Sequence, residues 1–448
     1  MSAENGSVKF GDVVNEVTRH EKAPLENGLE RYVGLDHLDP YNLTVRRWGD
    51  IREGTTFTKR FEPGQVLFGK RRCYQKKAAV AKFSGLCSGD IIVLKAQEEK
   101  LIPELLPFLV QSDAFFKWAE KTSSGSLSPR TKFKALAEFE FPLPSIDRQR
   151  EILDVLHAVE ESLRATEDAV ETAEQLKRSM MAHLLTKGTG HSKFKKTDIG
   201  EIPKEWTFCK LEDCSFIQTG VTLGKKWEKD VVKVPYLRVA NIQDGFLDLG
   251  EVKEIAIDRS KISRYQLQKD DVLLTEGGDF DKLGRGHIWP GTISPCLHQN
   301  HVFCVRLNKK VMRPVYFNYL KASAIGKHYF LSCAKQTTNL ASINLTQLKA
   351  FPCPIPNCEE QDRIVGHLQH VDDSILHLRK NVKCQRKLKE LFNEWVIGGH
   401  SMPFGKDSER HIGSKDSAKL CRAWISESCV VTDAGVLTLL VTSESFSV

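Results

Sequence analysis

Residues 142–152 read PLPSIDRQREI and residues 354–364 read PIPNCEEQDRI. Each is Pro-x-Pro, four residues, Gln, two residues, Ile, and the displacement between them is 212 positions. Proline disfavours α geometry in the residue before it and cannot extend a helix from within, so each proline pair closes an extended segment. Ser145 or Asp147, and Asn357 or Glu359, then stand where helix caps and favourable N-terminal charges belong.

Beyond each junction the apolar residues step alternately by four and three. The first series is Ile152, Leu156, Val159, Leu163, Thr166, Val170, Ala173, Lys177, Met180 and Leu184. The second is Ile364, Leu368, Val371, Ile375, Leu378, Val382, Gln385, Lys389, Phe392 and Val396. That alternation is a heptad seam, and its weak positions coincide, Ala173 with Gln385 and Lys177 with Lys389. Ordinary amphipathic helices would bury a similar stripe in a globular core. Two long helices in equal phase argue instead for packing on each other as a coiled coil, each on the order of 50–60 Å long. The first ends at Lys187-Gly188 with glycine as its cap, the second near Gly398-Gly399.

The segments upstream also correspond, more faintly. VKFGDVV at 8–14 matches CKLEDCS at 209–215, PGQVLFGKRR at 63–72 matches KDDVLLTEGG at 269–278, and GDIIVLK at 89–95 matches HVFCVRL at 301–307. Short β-branched runs, glycine turns and short helices predict a mixed α/β (α+β) globule in each half, duplicated by a pseudo-twofold repeat. The expected organisation is a first globule over 1–143, a spacer helix over 144–187, a basic linker over 188–205, a second globule over 206–355, a second spacer helix over 356–397 and an atypical tail over 398–448.

Composition narrows the class. The chain has 448 residues with 41% hydrophobic and 27% charged, ordinary for globular domains. The opening MSAENGSVKFGDVV lacks a basic region followed by an apolar core, so no signal peptide is expected. VVTDAGVLTLLV at 430–441 is too short to span a bilayer and carries Asp433, so no membrane role is expected. Twelve scattered cysteines fit reduced thiols in a cytoplasmic protein. The net charge of +7 permits nucleic-acid binding without requiring it.

Catalytic signatures are missing. GVTLGKKW at 220–227 has three residues between its glycines where a phosphate-binding loop needs four, and Lys226 replaces the magnesium-binding hydroxyl. LDPYNL at 38–43 lacks the second proline of an amino-methyltransferase motif. Cys296, His298, His301 and Cys304 are zinc-ligand types, yet they crowd one loop and strand start, and Cys304 sits in the apolar run VFCVRL. A binding protein is favoured over an enzyme, with no catalytic residues and no metal.

The duplicated junctions, the matched heptads and the linker LLTKGTGHSKFKKTDIGEIPKEW at 184–206 resemble the DNA-specificity subunit of type I restriction–modification systems over about residues 8–397. The resemblance implies that each globule reads one half of a split, asymmetric DNA target, while the helices form an antiparallel coiled coil whose length sets the gap between the halves. It also implies docking of two adenine methyltransferase subunits and of restriction subunits that translocate and cut. S-adenosylmethionine, ATP and magnesium would be bound by those partners and no cofactor by this chain. The tail departs from the family, whose members usually stop soon after the second helix.

Affinity should then come from Lys and Arg at phosphates, and specificity from a few side chains at base edges. The loop after QVLFG offers Lys70, Arg71, Arg72, Lys76 and Lys77, with Tyr74 and Gln75 interleaved. The corresponding second loop offers Lys282, Arg285 and His287. Polar loops before each helix add Arg130 with Lys132, and Lys335, Gln336 and Asn339, while Lys225 and Lys226 form a further basic patch. Two rival readings are a coiled-coil scaffold without DNA readout and a fused restriction enzyme. The first leaves both basic loops unexplained, and the second requires motifs the chain lacks.

Overall fold

A computed structural model of the chain describes residues 7–224, 227–228, 230–278, 283–333, 335–336 and 341–398. Two compact units emerge, Met1–Asp168 with Leu378–Val448, and Ala169–His377. The division falls inside both long helices, Ile146–Lys187 and Cys358–Gly398, so each unit holds part of each.

The first unit carries two four-stranded sheets. One runs in the order Val14–Val17, Ile91–Ala96, Val66–Gly69, Ala78–Val80, all antiparallel. The other runs Gly49–Asp50, Arg31–Val33, Gly85–Cys87, Lys59–Phe61, with Arg31–Val33 parallel to Gly85–Cys87. The apolar runs VLFG and IIVL are buried on both faces, which is why they lack alternation in sequence. The helix Asp113–Lys121 is capped by Ser112, whose Oγ accepts from the Phe115 amide at 3.1 Å. One core joins Phe10, Phe68 and Phe115 to Ile152, Val155, Leu156 and Val159 of the first long helix.

The second unit repeats much of this plan. Ser215–Thr219, Val302–Leu307 and Val272–Thr275 form an antiparallel sheet, and Lys253–Asp258, Val231–Leu237 and Leu297–His298 form another whose last pair is parallel. In both units an early strand pairs with the strand that leads into a long helix: Ser7–Lys9 with Glu140–Pro142, and Thr207–Lys210 with Pro352–Ile355. Inside the stretch read as a linker, Phe194–Thr197 and Gly200–Pro203 form a hairpin. The first long helix stops at Gly188, which adopts φ 63; a Cβ there would lie 2.6 Å from the Trp206 ring.

Every seam position from Ile152 to Leu184 and from Ile364 to Lys389 is buried or half-buried. In the first unit Gln385 donates to Ser162 Oγ at 3.0 Å, Lys389 pairs with Glu160 at 2.8 Å, and Arg386 pairs with Glu167 at 2.7 Å. In the second unit Lys177 pairs with Asp372 at 2.5 Å, and Met181 and Leu184 share a core with Ile364 and Leu368.

Candidate nucleic-acid interface

In the first unit the basic loop is an excursion between Gly69 and Lys77, whose backbones close it at 2.9 Å. Its centre is a short 3-10 turn, Cys73–Gln75, with Cys73 buried as the anchor. The polar loop before the helix bends back on itself, with Ser124 and Arg130 exchanging both backbone hydrogen bonds at 2.9 and 3.0 Å. The two loops then meet: Arg71 bridges to Arg130, and the Arg72 amide donates to the Pro129 carbonyl at 2.9 Å. Segments nominated separately from sequence are thus one surface in space.

Several of their charges are already partnered. Asp90 accepts from Arg130 Nε at 2.8 Å and lies 3.5 Å from Arg71, which also donates to Ser128 Oγ at 3.1 Å. The Arg130 hydrogen bond, more than any other contact, holds the Asp90 carboxyl below the usual range despite its partial burial. Lys76 pairs with Asp113 and lies 5.2 Å from the Tyr41 ring centre, and Lys77 donates to the Leu35 carbonyl at 2.7 Å. Lys132 is exposed at the start of the helix Phe133–Leu136. Lys70 is half-buried, its amide donating to the Asp90 carbonyl at 3.0 Å.

The second unit makes the same junction with strands. Gly277–Gly278 pairs with Ala341–Ser342, which pairs in turn with Lys335–Gln336. Lys225, Lys226, Lys282 and Asn339 lie outside the described residues, as does the tail beyond residue 398. Arg285 and His287 are half-buried, and their carbonyls accept from Thr275 and Leu273. His287 Nδ1 lies 3.3 Å from Asn318 Nδ2; burial first and the neighbouring Lys321 second lower its pKa. Lys321 escaped the sequence reading. It is buried on the helix Pro314–Ala322, donates to the Gly286 carbonyl at 2.8 Å, and burial pulls it down to about 8. Nothing in the spacing of VYFNYLKA marks that lysine as the inward one.

The four zinc-type residues do not converge. His301 is exposed and lies 2.5 Å from Glu276, whereas His298 is fully buried and is pushed to about 4 by burial. Cys304 is a core residue of Val302–Leu307, and the Cys296 thiol faces the Leu297 carbonyl at 3.6 Å. Among the described residues no three His, Cys, Asp or Glu side chains gather to hold a metal ion. The turn between residues 298 and 301 sends one histidine inward and the other outward, which linear spacing does not reveal. No described helix is long and apolar enough to cross a membrane.

The family model of the type I restriction modification DNA specificity domain matches residues 50–175 and 203–385, and the chain belongs to that family. A protein of Methanocaldococcus jannaschii provisionally assigned as the type I restriction enzyme MjaX specificity subunit is 34% identical over 213 residues. That match spans 46% of this chain and 49% of the relative, about half its length. The MjaVIII specificity subunit of the same organism is 25% identical over 342 residues, 75% of this chain and 76% of that protein. A chain from a solved structure concerned with complex assembly and conformational transition of the type I R-M system superposes with a TM-score of 0.57 at 19% identity, covering 88% of this chain and 97% of the other. At that identity the likeness speaks for the fold.

Proposed function

We propose that this chain is the sequence-specific DNA-binding specificity subunit of a type I restriction–modification complex. The observation that carries the reading is the doubled family match, 50–175 and 203–385, each block containing one of the two paired basic loops. Each unit reads one half of a bipartite, asymmetric double-stranded target. Lysines and arginines that the loops leave exposed take the phosphates, and a few side chains take base edges. The two long helices run antiparallel as a coiled coil and fix the gap between half-sites, and the chain as a whole is an internal repeat. In the first unit the pairs Glu160–Lys389 and Glu167–Arg386 support that direction, because the partner number falls as the first rises.

The chain performs no chemistry itself. It docks two methyltransferase subunits and the restriction subunits in the cytoplasm, and S-adenosylmethionine, ATP and magnesium bind there. The test is methylome sequencing of a host without its own systems, carrying the cognate methyltransferase subunit with and without this chain. Adenine methylation at one split motif that disappears without the chain is the expected result. A co-purifying complex that writes no such motif would favour a scaffold without DNA readout.

A further inference from the structure

The turn at Cys73–Gln75 combines features that phosphate binding does not explain. Arg72 and Lys76, one on each side, sit in the left-handed region at φ 55 and 51, and Tyr41 opposite does so at φ 61. Such conformations are unfavourable for L-residues other than glycine, persist only where the surroundings fix them, and cluster at binding sites. The surroundings here do fix them: Lys76 is held by Asp113 and by the Tyr41 ring, Lys77 by the Leu35 carbonyl, and the Tyr41 carbonyl lies 3.4 Å from Lys389 Nζ. Those lysines are partnered inside the protein.

What the turn leaves open is different. Tyr74 is 55% exposed and Tyr41 is 50% exposed, and both line a groove of about 510 Å³ with Pro40, Gln75, Lys76 and Lys77. The groove therefore presents two aromatic rings and one side-chain amide on a rigid turn, with Arg71 and Arg130 held nearby through Asp90. Rigid aromatics beside a primary amide suit the edge of a base pair better than a phosphate. Glutamine can take the N6 donor and N7 acceptor of adenine together, and an apolar ring surface can pack on the thymine methyl.

We propose that the turn Cys73–Gln75 is the base-reading element of the first unit, with Gln75 on the adenine edge of an A·T pair and Tyr74 against a neighbouring thymine methyl. The proposal rests on the DNA-reading function above. Lys76 and Lys77 are positioning residues that hold the turn, and contribute little to the phosphate contacts.

The experiment uses the full chain in complex with its methyltransferase subunit, selecting from duplex pools randomised in each half-site at two salt concentrations. Gln75→Ala should lower the preference for the correct base at one position of one half-site by roughly 10- to 100-fold. The other half-site should be read normally and the salt dependence should not change, since no phosphate contact is lost. Gln75→Glu should move the preference at that position from adenine toward cytosine, a gain that misfolding cannot produce. Tyr74→Ala should relax an adjacent position, which Tyr74→Phe should preserve. If the parent complex selects a split target and all variants select it equally well, the base-reading assignment is wrong while the DNA-reading function stands. Uniform weakening across both half-sites with a shallower salt slope would also overturn it, in favour of a phosphate clamp. A parent complex that selects no split target would remove the DNA-reading function itself.

Discussion

The side-chain amide of Gln149 donates to the carbonyl of Pro144 at 2.9 Å, tying the helix back to the proline pair that precedes it. The same amide donates to the Lys100 carbonyl at 2.9 Å and its oxygen accepts from the Ile102 amide at 2.9 Å. Gln361 makes the corresponding bonds to Pro356, Val311 and Arg313 at 2.9, 2.8 and 2.7 Å, and both glutamines are fully buried. The repeated motif is thus a latch between an incoming strand, a helix start and the loop ahead of a short helix.

Gln149→Leu leaves two carbonyls and one amide without partners, at about 1–3 kcal/mol for each group that stays dry. We expect a loss of about 2–5 kcal/mol in the first unit, read as a lower urea midpoint and faster exchange of the Ile102 amide. Exchange in residues 300–315 should not change. Protection of Ile102 equal to that of the parent would contradict the latch.

Asp90 joins the two loops of the first unit, and its depressed carboxyl pKa gives the pH dependence. A carboxylate depressed in the folded state contributes stability above its unfolded value of about 3.9 and loses it as pH falls through the folded value. The loop junction should therefore hold at neutral pH and loosen only in acid below about pH 4. Asp90→Ala should free Arg71 and Arg130 for phosphates and steepen the logarithmic salt dependence of DNA binding by roughly one to two. A slope identical to the parent's would take both arginines away from the DNA.

His298 predicts acid sensitivity in the second unit. Its folded pKa of about 4 lies below the usual 6.5, with burial as the main cause. The unfolded chain binds a proton at this site over that interval and the folded chain does not, so stability falls as pH drops from 6.5 toward 4. The limit is about 3 kcal/mol. His298→Leu should remove that part of the loss, measured as the difference between urea midpoints at pH 7 and pH 4.5. Equal losses in parent and variant would assign the acid sensitivity elsewhere.

What was readable in the sequence was local. The heptads need only a spacing rule, and VLFG, IIVL and VFCVRL read as buried strands because both of their faces are apolar. The linker hairpin was missed because FKKT and GEIP carry few apolar residues for a strand pattern. The partners of the basic loops were missed for a different reason. Asp90, Asp113 and Leu35 meet Arg130, Lys76 and Lys77 only through the tertiary fold, between residues 37 to 42 positions apart. A list of basic residues therefore overstated how much free charge the first loop offers, and Tyr74 and Gln75, named between the lysines, were given no role of their own.

The proposed spacer can be lengthened. Inserting four residues after Thr166 alone turns the downstream seam by about 40° at 100° per residue, carrying Met180 and Leu184 off the line that Ile364 and Leu368 face. That variant should write less methylation, and any target it still reads should have a changed gap. A full heptad after Thr166 matched by a heptad after Leu378 keeps the phase and adds about 10 Å. Under antiparallel pairing that is about three base pairs of duplex. The matched variant should methylate the same two half-sites with a gap about three base pairs longer, and methylome sequencing reads this directly. Methylation at the parent's gap in both variants would mean that the helices do not set the distance, and the spacing would have to come from the partner subunits.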